Sequence, residues 1–147
     1  MVCSAQKGNL VMTIFCHHIY EYKKGLRNLV LHTMPGTTRA SVETKLKQRG
    51  IAYQIYTLRN GNINVFFGAD ECVAVVRAIG KPCLSDYTPE EDFILGTMLG
   101  YDRRLQCRRY LERAEHEKDW LKKPMHRLDE QGNVSGDPAG VHLLNEI

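Results

Sequence analysis

The sequence predicts a small α+β domain: a three-stranded sheet, made of a crossover strand plus an Asn-Gly hairpin, packed with about five helices. Three observations carry that expectation. Leu29 to Met34 reads LVLHTM, a compact β-forming run closed by Pro35 and Gly36. Two further β-forming runs, about Ala52 to Leu58 and Ile63 to Phe67, flank Asn60-Gly61, a strong short hairpin signal because a type I′ turn needs positive φ at both positions. Around them lie segments with apolar residues at helical spacing, of which Ser85 to Tyr110, SDYTPEEDFILGTMLGYDRRLQCRRY, is the best defined.

In that stretch Thr88 is placed as an N-cap, Pro89 occupies the first helical position, and Glu91 completes a capping box. Phe93, Ile94, Leu95, Met98 and Leu99 then give an apolar surface wide enough to be covered on more than one side, which marks a central or interface helix. After Gly100 a last helix is expected from about Tyr101 to Lys123, with Cys107, Tyr110, Leu111, Ala114 and Leu121 on one face and Pro124 as its stop.

Earlier in the chain, Phe15, His18, Ile19 and Tyr22 fit one helical face, and Gly25 after Lys23 and Lys24 suits a helix end, so a short helix is expected from about Ile14 to Lys24. Ile14, Cys16, His18 and Tyr20 also alternate, which keeps a hairpin turning at Lys23, Lys24 and Gly25 as the competing reading. Thr38 can cap a helix through Ala40, Val42 and Leu46 that stops at Gly50, and Asp70 can cap another through Cys72, Val73, Val76 and Ile79 that stops at Gly80 and Pro82. Residues 1–9 and 124–147 lack apolar periodicity and read as a flexible N-terminus and a flexible tail, leaving one domain over residues 10–123.

A two-residue turn would set Leu58 opposite Ile63, Tyr56 opposite Val65 and Gln54 opposite Phe67. The helices would cover that face, a right-handed crossover would make the first two strands parallel, and the hairpin would add the third antiparallel. The other face, with Tyr53, Ile55 and Phe66 beside Thr57, Asn62 and Asn64, would be half apolar and open. Such a face is what oligomers bury, so a homodimer is expected through Tyr53, Ile55 and Phe66 or through Ile94 and Met98 of the capped helix.

Composition bounds the function classes. The 147 residues, 43% apolar and 25% charged, suit one soluble core. The longest apolar run, Leu10 to Cys16, is too short to span a bilayer and is followed by His17 and His18 rather than a cleavage site, so neither a membrane span nor a signal peptide is expected. Five cysteines without a CxxC or regular spacing suit free thiols in the cytoplasm. The net charge of +3 is segregated: residues 1–84 carry 11 basic and 4 acidic side chains, residues 85–100 carry 4 acidic and no basic ones, and residues 101–123 carry 8 basic and 5 acidic. A basic body of this kind favours an acidic partner.

No Gly-rich phosphate loop, Ser-His-Asp arrangement or HExxH appears, and no cofactor is indicated. Cys107 lies among Arg103, Arg104, Arg108 and Arg109, where positive charge would favour thiolate, and Cys72 near a helix start invites the same reading. Both also fit apolar stripes, where cysteine acts as a small hydrophobe. Cys16, His17, His18 and His32 could offer metal ligands, but adjacent histidines diverge on helix and strand alike, and no metal site is expected. The arginines of the last helix read either as a binding stripe or as a solvated face neutralised by Arg108-Glu112, Arg109-Glu112 and Arg113-Glu117 pairs. Tyr53 and Phe66 could stack bases, but the strands carry little basic charge before Arg59, so nucleic acid is not the expected partner. Asp86, Glu90, Glu91 and Asp92 suit the positive end of a helix dipole better than acid-base work.

Taken together, HHIYEYKKGLRNLVLHTM, the NVFFG strand and TPEEDFILGTMLGYDRRLQC resemble a small bacterial family of unknown function, catalogued as domain of unknown function two-zero-two-three, over about residues 15–121. The resemblance implies a three-stranded, helix-rich homodimer, no established activity, and gene neighbourhoods that contain flavodoxin. The residues placed to meet such an acidic carrier are Arg103, Arg104, Arg108 and Arg109, with Lys23 and Lys24 as a second patch. The leading expectation is a non-enzymatic interaction or accessory protein. A thiol-dependent redox enzyme or sensor using Cys107 or Cys72 is the alternative.

Overall fold

The computed structural model describes the backbone of residues 3–122 and the side chains of residues 8–116. The expected tail, residues 124–147, lies outside the described residues, as does the side chain of Leu121. The chain divides into a unit of residues 1–114, which holds the sheet and its helices, and a unit of residues 115–147, of which the described part continues the last helix.

Helix α1 spans Cys3–Lys23, strand β1 Leu29–Pro35, helix α2 Arg39–Gln48, β2 Ala52–Thr57, β3 Asn62–Gly68, α3 Asp70–Ile79, α4 Pro89–Met98 and α5 Arg103–Lys122. The helical reading of residues 14–24 therefore holds over the hairpin. Its start is corrected: the helix begins at Cys3, inside the segment expected to be flexible. Thr88 forms the full capping box, accepting from the Glu91 N–H while the Glu91 carboxylate accepts from the Thr88 N–H. The other two expected caps do not form. Thr38 donates its hydroxyl back to the Pro35 carbonyl at 2.7 Å, and Asp70 sits within the first turn of α3, behind Ala69 at the cap position.

The sheet order is β1-β3-β2, with both outer strands antiparallel to β3. β1 and β2 thus run in the same direction, as the crossover expectation held, but β3 lies between them. The register differs from the expected one by a residue: Thr57 faces Ile63, Ile55 faces Val65 and Tyr53 faces Phe67. The turn is responsible. The Gly61 N–H bonds the Leu58 carbonyl and the Leu58 N–H bonds the Asn62 carbonyl, so the loop has three residues rather than two. Only Gly61 is left-handed, with φ of 84°, while the Asn60 side chain accepts from the Asn62 N–H. This is a type I turn closed by a glycine bulge, the next most common hairpin solution.

One residue of register moves every β2 side chain to the other face. On one face Val30, Met34, Ile55, Ile63, Val65 and Phe67 pack against Phe15 and Ile19 of α1 and Val42 and Leu46 of α2, with Phe15 edge-on to Phe67 at 5.5 Å. On the other, Leu29 and Phe66 pack with Val73 and Val76 of α3, Tyr87, and Leu95 and Leu99 of α4. The sheet is therefore covered on both sides. The open face does not exist: Tyr53 and Ile55 belong to the first core, Phe66 to the second, and Ile55 and Phe66 are buried. Burial on both faces also explains why β3, NINVFFG, is apolar with little alternation.

Candidate interaction surface

The two last helices form a hairpin. Gly96 lets them close: a Cβ there would meet the Gln106 side chain of α5. From that contact the α5 residues at helical spacing Gln106, Arg109, Tyr110 and Arg113 face α4. The Arg109 and Arg113 guanidiniums both bond the Asp92 carboxylate, Arg113 also donates to the Tyr87 carbonyl at 3.0 Å, and the Tyr110 ring lies 5.7 Å from that of Phe93. The hydrogen bond to Asp92 raises the Arg109 pKa further above its ordinary value.

These contacts split the expected arginine stripe. Arg109 belongs to the hairpin seam, where Asp92 neutralises its charge. Arg103, Arg104 and Arg108 are exposed and make no ion pair among the described residues. Among the described residues neither Arg108 nor Arg109 forms the expected ion pair with Glu112; Arg109 has turned to Asp92 instead. The Glu117 side chain expected beside Arg113 lies outside the described residues.

The outward side of α5 therefore carries Arg104, Cys107, Arg108 and Leu111 at i, i+3, i+4 and i+7, one helical face. All four are exposed, Leu111 to 58%. The apolar stripe expected to bury Cys107 and Leu111 is thus corrected, since Tyr110 turns to α4 while those two point away from it. The combination is cationic with an apolar centre.

The second basic patch lies on the other layer of the sandwich, at the end of α1. Lys23 donates to the Arg49 carbonyl at 3.2 Å, closing the end of α2, and Lys24 stands 5.4 Å over the Tyr20 ring. α1 covers one face of the sheet, whereas α5 packs on α4, which covers the other.

Of the remaining candidates, Ile94 is 41% exposed on α4, whereas Met98 is partly buried against the second core. Cys72 is half-buried, and burial, then the Glu71 carboxylate, push its thiol pKa up, away from thiolate. His18 and His32 come together with rings 5.0 Å apart, but among the described residues no group of three or more His, Cys, Asp or Glu could hold a metal ion. Nor is any described helix long and apolar enough to cross a membrane.

Sequence reasoning missed Asp92 as the knot of the hairpin, Arg113 as its second donor, and Gln106 against Gly96. The signal available was an acidic helix start facing a basic helix across a short Gly-containing connection.

No curated protein matches the chain. A family model does match residues 13–113, more than half of the sequence. The chain belongs to the family of proteins of unknown function DUF2023.

Proposed function

We propose that this is a non-enzymatic accessory protein of the cytoplasm that docks an acidic protein partner on the outward face of α5. The observation that carries this reading is the division of labour among the arginines: Asp92 takes Arg109 and Arg113, and Arg104 and Arg108 remain exposed, with no counter-ion among the described residues, beside exposed Leu111. Cationic rims around a small apolar centre suit weak, electrostatically steered encounters. Flavodoxin, an acidic carrier in the gene neighbourhoods that the family resemblance implies, is the first partner to test.

Titrating purified flavodoxin with the protein at low and at physiological salt tests the proposal. Binding at low salt that weakens on adding salt is expected, with at least about a tenfold loss for the Arg104→Glu, Arg108→Glu double variant. Absence of binding at low salt, or an affinity unchanged by the double reversal, overturns it.

Self-association as a homodimer is proposed through α4, centred on Ile94, since Tyr53, Ile55 and Phe66 serve the two cores. Sedimentation at micromolar concentration showing only monomer overturns that part.

One observation favours the thiol reading as a second choice: Cys107 is exposed on the same face as Arg104 and Arg108. A measured Cys107 thiol pKa at or above that of free cysteine removes it.

A further inference from the structure

His18 of α1 and His32 of β1 meet where the first helix crosses the edge strand of the sheet, their rings 5.0 Å apart and tilted by 54°. Both side chains are half-buried. Arg27, in the connection that leads into β1, lies with Nη1 3.3 Å from His18 Nδ1 and 3.4 Å from Glu21 Oε2. A guanidinium only donates, so the Arg27 bond requires a neutral His18 imidazole that accepts at Nδ1 and carries its proton on Nε2. Glu21 Oε2 stands 3.8 Å from the same Nδ1, and Glu21 Oε1 is 3.4 Å from His17 Nε2. The charged and titratable groups acting on the pair are His17, Glu21, Arg27 and the two rings themselves. On the sheet side Val65 of β3 faces His32.

We infer that this cluster is a proton-operated latch, in which Glu21 exchanges Arg27 for His18 and so frees the connection between α1 and β1 from the end of the helix. In the neutral state Arg27 is shared by an imidazole nitrogen and a carboxylate, a side-chain tie beyond the backbone bonds that hold Lys24, Gly25 and Leu26 to the end of α1. Adding one proton at His18 Nδ1 removes the acceptor and creates a donor in its place. The new imidazolium then competes for Glu21, already within 3.8 Å, and repels both Arg27 and any charge on His32. Nothing leaves the cluster except Arg27. The connection begins at Lys24, whose contact with the Tyr20 ring lies at the same end of α1.

The direction of titration agrees with this geometry. Burial first, then Arg27, holds the His18 pKa below its ordinary value of 6.5, against the opposing pull of Glu21. Burial first, then His18, does the same for His32. A folded-state pKa below the unfolded one means that the unfolded chain binds protons first. The latch therefore contributes fully above pH 6.5 and is lost as pH falls through the folded pKa values.

Two measurements on the intact protein test it. Imidazole resonances followed from pH 8 to pH 4.5, roughly spanning the ordinary His range, should show His18 and His32 titrating below 6.5 and each sensing the other. Arg27→Gln should move the His18 midpoint upward by several tenths of a unit or more and His32 much less. Amide exchange, corrected for its intrinsic pH dependence, should be several-fold faster in residues 20–30 at about pH 5 than at about pH 7.5. His18→Gln keeps an acceptor for Arg27 and cannot take a proton, so it should remove that acid response. The same acid response in His18→Gln would assign it to carboxylates and overturn the latch. His18 or His32 titrating at or above 6.5 in the native protein would overturn it equally, even where the variant fails to fold.

Discussion

Arg109 holds Asp92 across the α4–α5 hairpin through two hydrogen bonds, Nε to Oδ2 at 2.7 Å and Nη2 to Oδ1 at 3.2 Å. Arg113 adds a third contact to Oδ1 at 3.2 Å. Asp92→Asn keeps the shape and removes the charge that both arginines need. With Arg109 41% and Arg113 32% exposed, solvent screens part of each bond, so the expected loss is about 1–2 kcal/mol, read from the urea midpoint. A change in α4–α5 amide protection without one in the sheet would locate the effect at the hairpin. An unchanged midpoint would show that Phe93, Tyr110 and Gln106 hold the helices without Asp92.

Two glycines should answer very differently to alanine. A Cβ on Gly68, where φ is 150°, would strike the carbonyl of Asn28, the acceptor for the Ala69 N–H. That obstacle, and Leu29 Cα behind it, are backbone and cannot swing away, so Gly68→Ala should cost more than about 2 kcal/mol. The Cβ on Gly96 meets only the end of the Gln106 side chain, which can swing away, and Gly96→Ala also gains helix propensity. A net change within about 1 kcal/mol is expected there. Thermal melts of both variants decide it, and equal losses would contradict the distinction.

Tyr87 is 3% exposed, and its hydroxyl has no hydrogen-bond partner among the described residues, while burial, then Tyr56 and Glu91, push its pKa up to about 12. An orphaned buried hydroxyl costs stability, so Tyr87→Phe should leave the fold as stable or raise it by about 1–3 kcal/mol. The Arg113 bond survives the change because it uses the Tyr87 backbone carbonyl. A substantial loss in the denaturation midpoint would reveal a partner for the hydroxyl.

The α4 cap predicts an acid effect distinct from that of the histidines. Thr88→Ala removes the acceptor for the Glu91 N–H and should cost about 1 kcal/mol. The Lys81 hydrogen bond first, then the Thr88 backbone N–H, lowers the Glu91 pKa from 4.5. A lowered carboxyl pKa means that its contribution is present above pH 4.5 and disappears as pH falls through the folded value. Glu91→Gln should flatten the stability profile in that range and leave the His window untouched.

Where local chemistry decides, the sequence was readable. The capping box at Thr88, the Gly80 end of α3 and the span of α5 follow from a few neighbouring residues. The hairpin was readable as a hairpin but not as a register, because Asn-Gly serves a two-residue turn and a three-residue bulged turn alike, and only Gly61 in the second is left-handed. That one-residue ambiguity separated Tyr53 and Ile55 from Phe66 and turned an imagined open face into two cores. Arg109 misled for a related reason. Its neighbour Glu112 is obvious at helical spacing, whereas Asp92 becomes its partner only once α4 and α5 fold back on each other.

The central position of β3 constrains how the chain acquires its sheet. Among the described residues β3 is the strand neighbour of both β1 and β2, so a nascent chain that ends before Asn62 has no strand pair to close. The hairpin closes over a three-residue loop, whereas Leu29 must wait for Gly68 and pay the entropy of the intervening α2 and β2. Assembly should therefore begin at Asn60-Gly61 and end with capture of β1. Until that capture the edge of β3 destined for β1 is an unpaired apolar template, which makes the interval after Gly68 is synthesised the period of greatest exposure to aggregation.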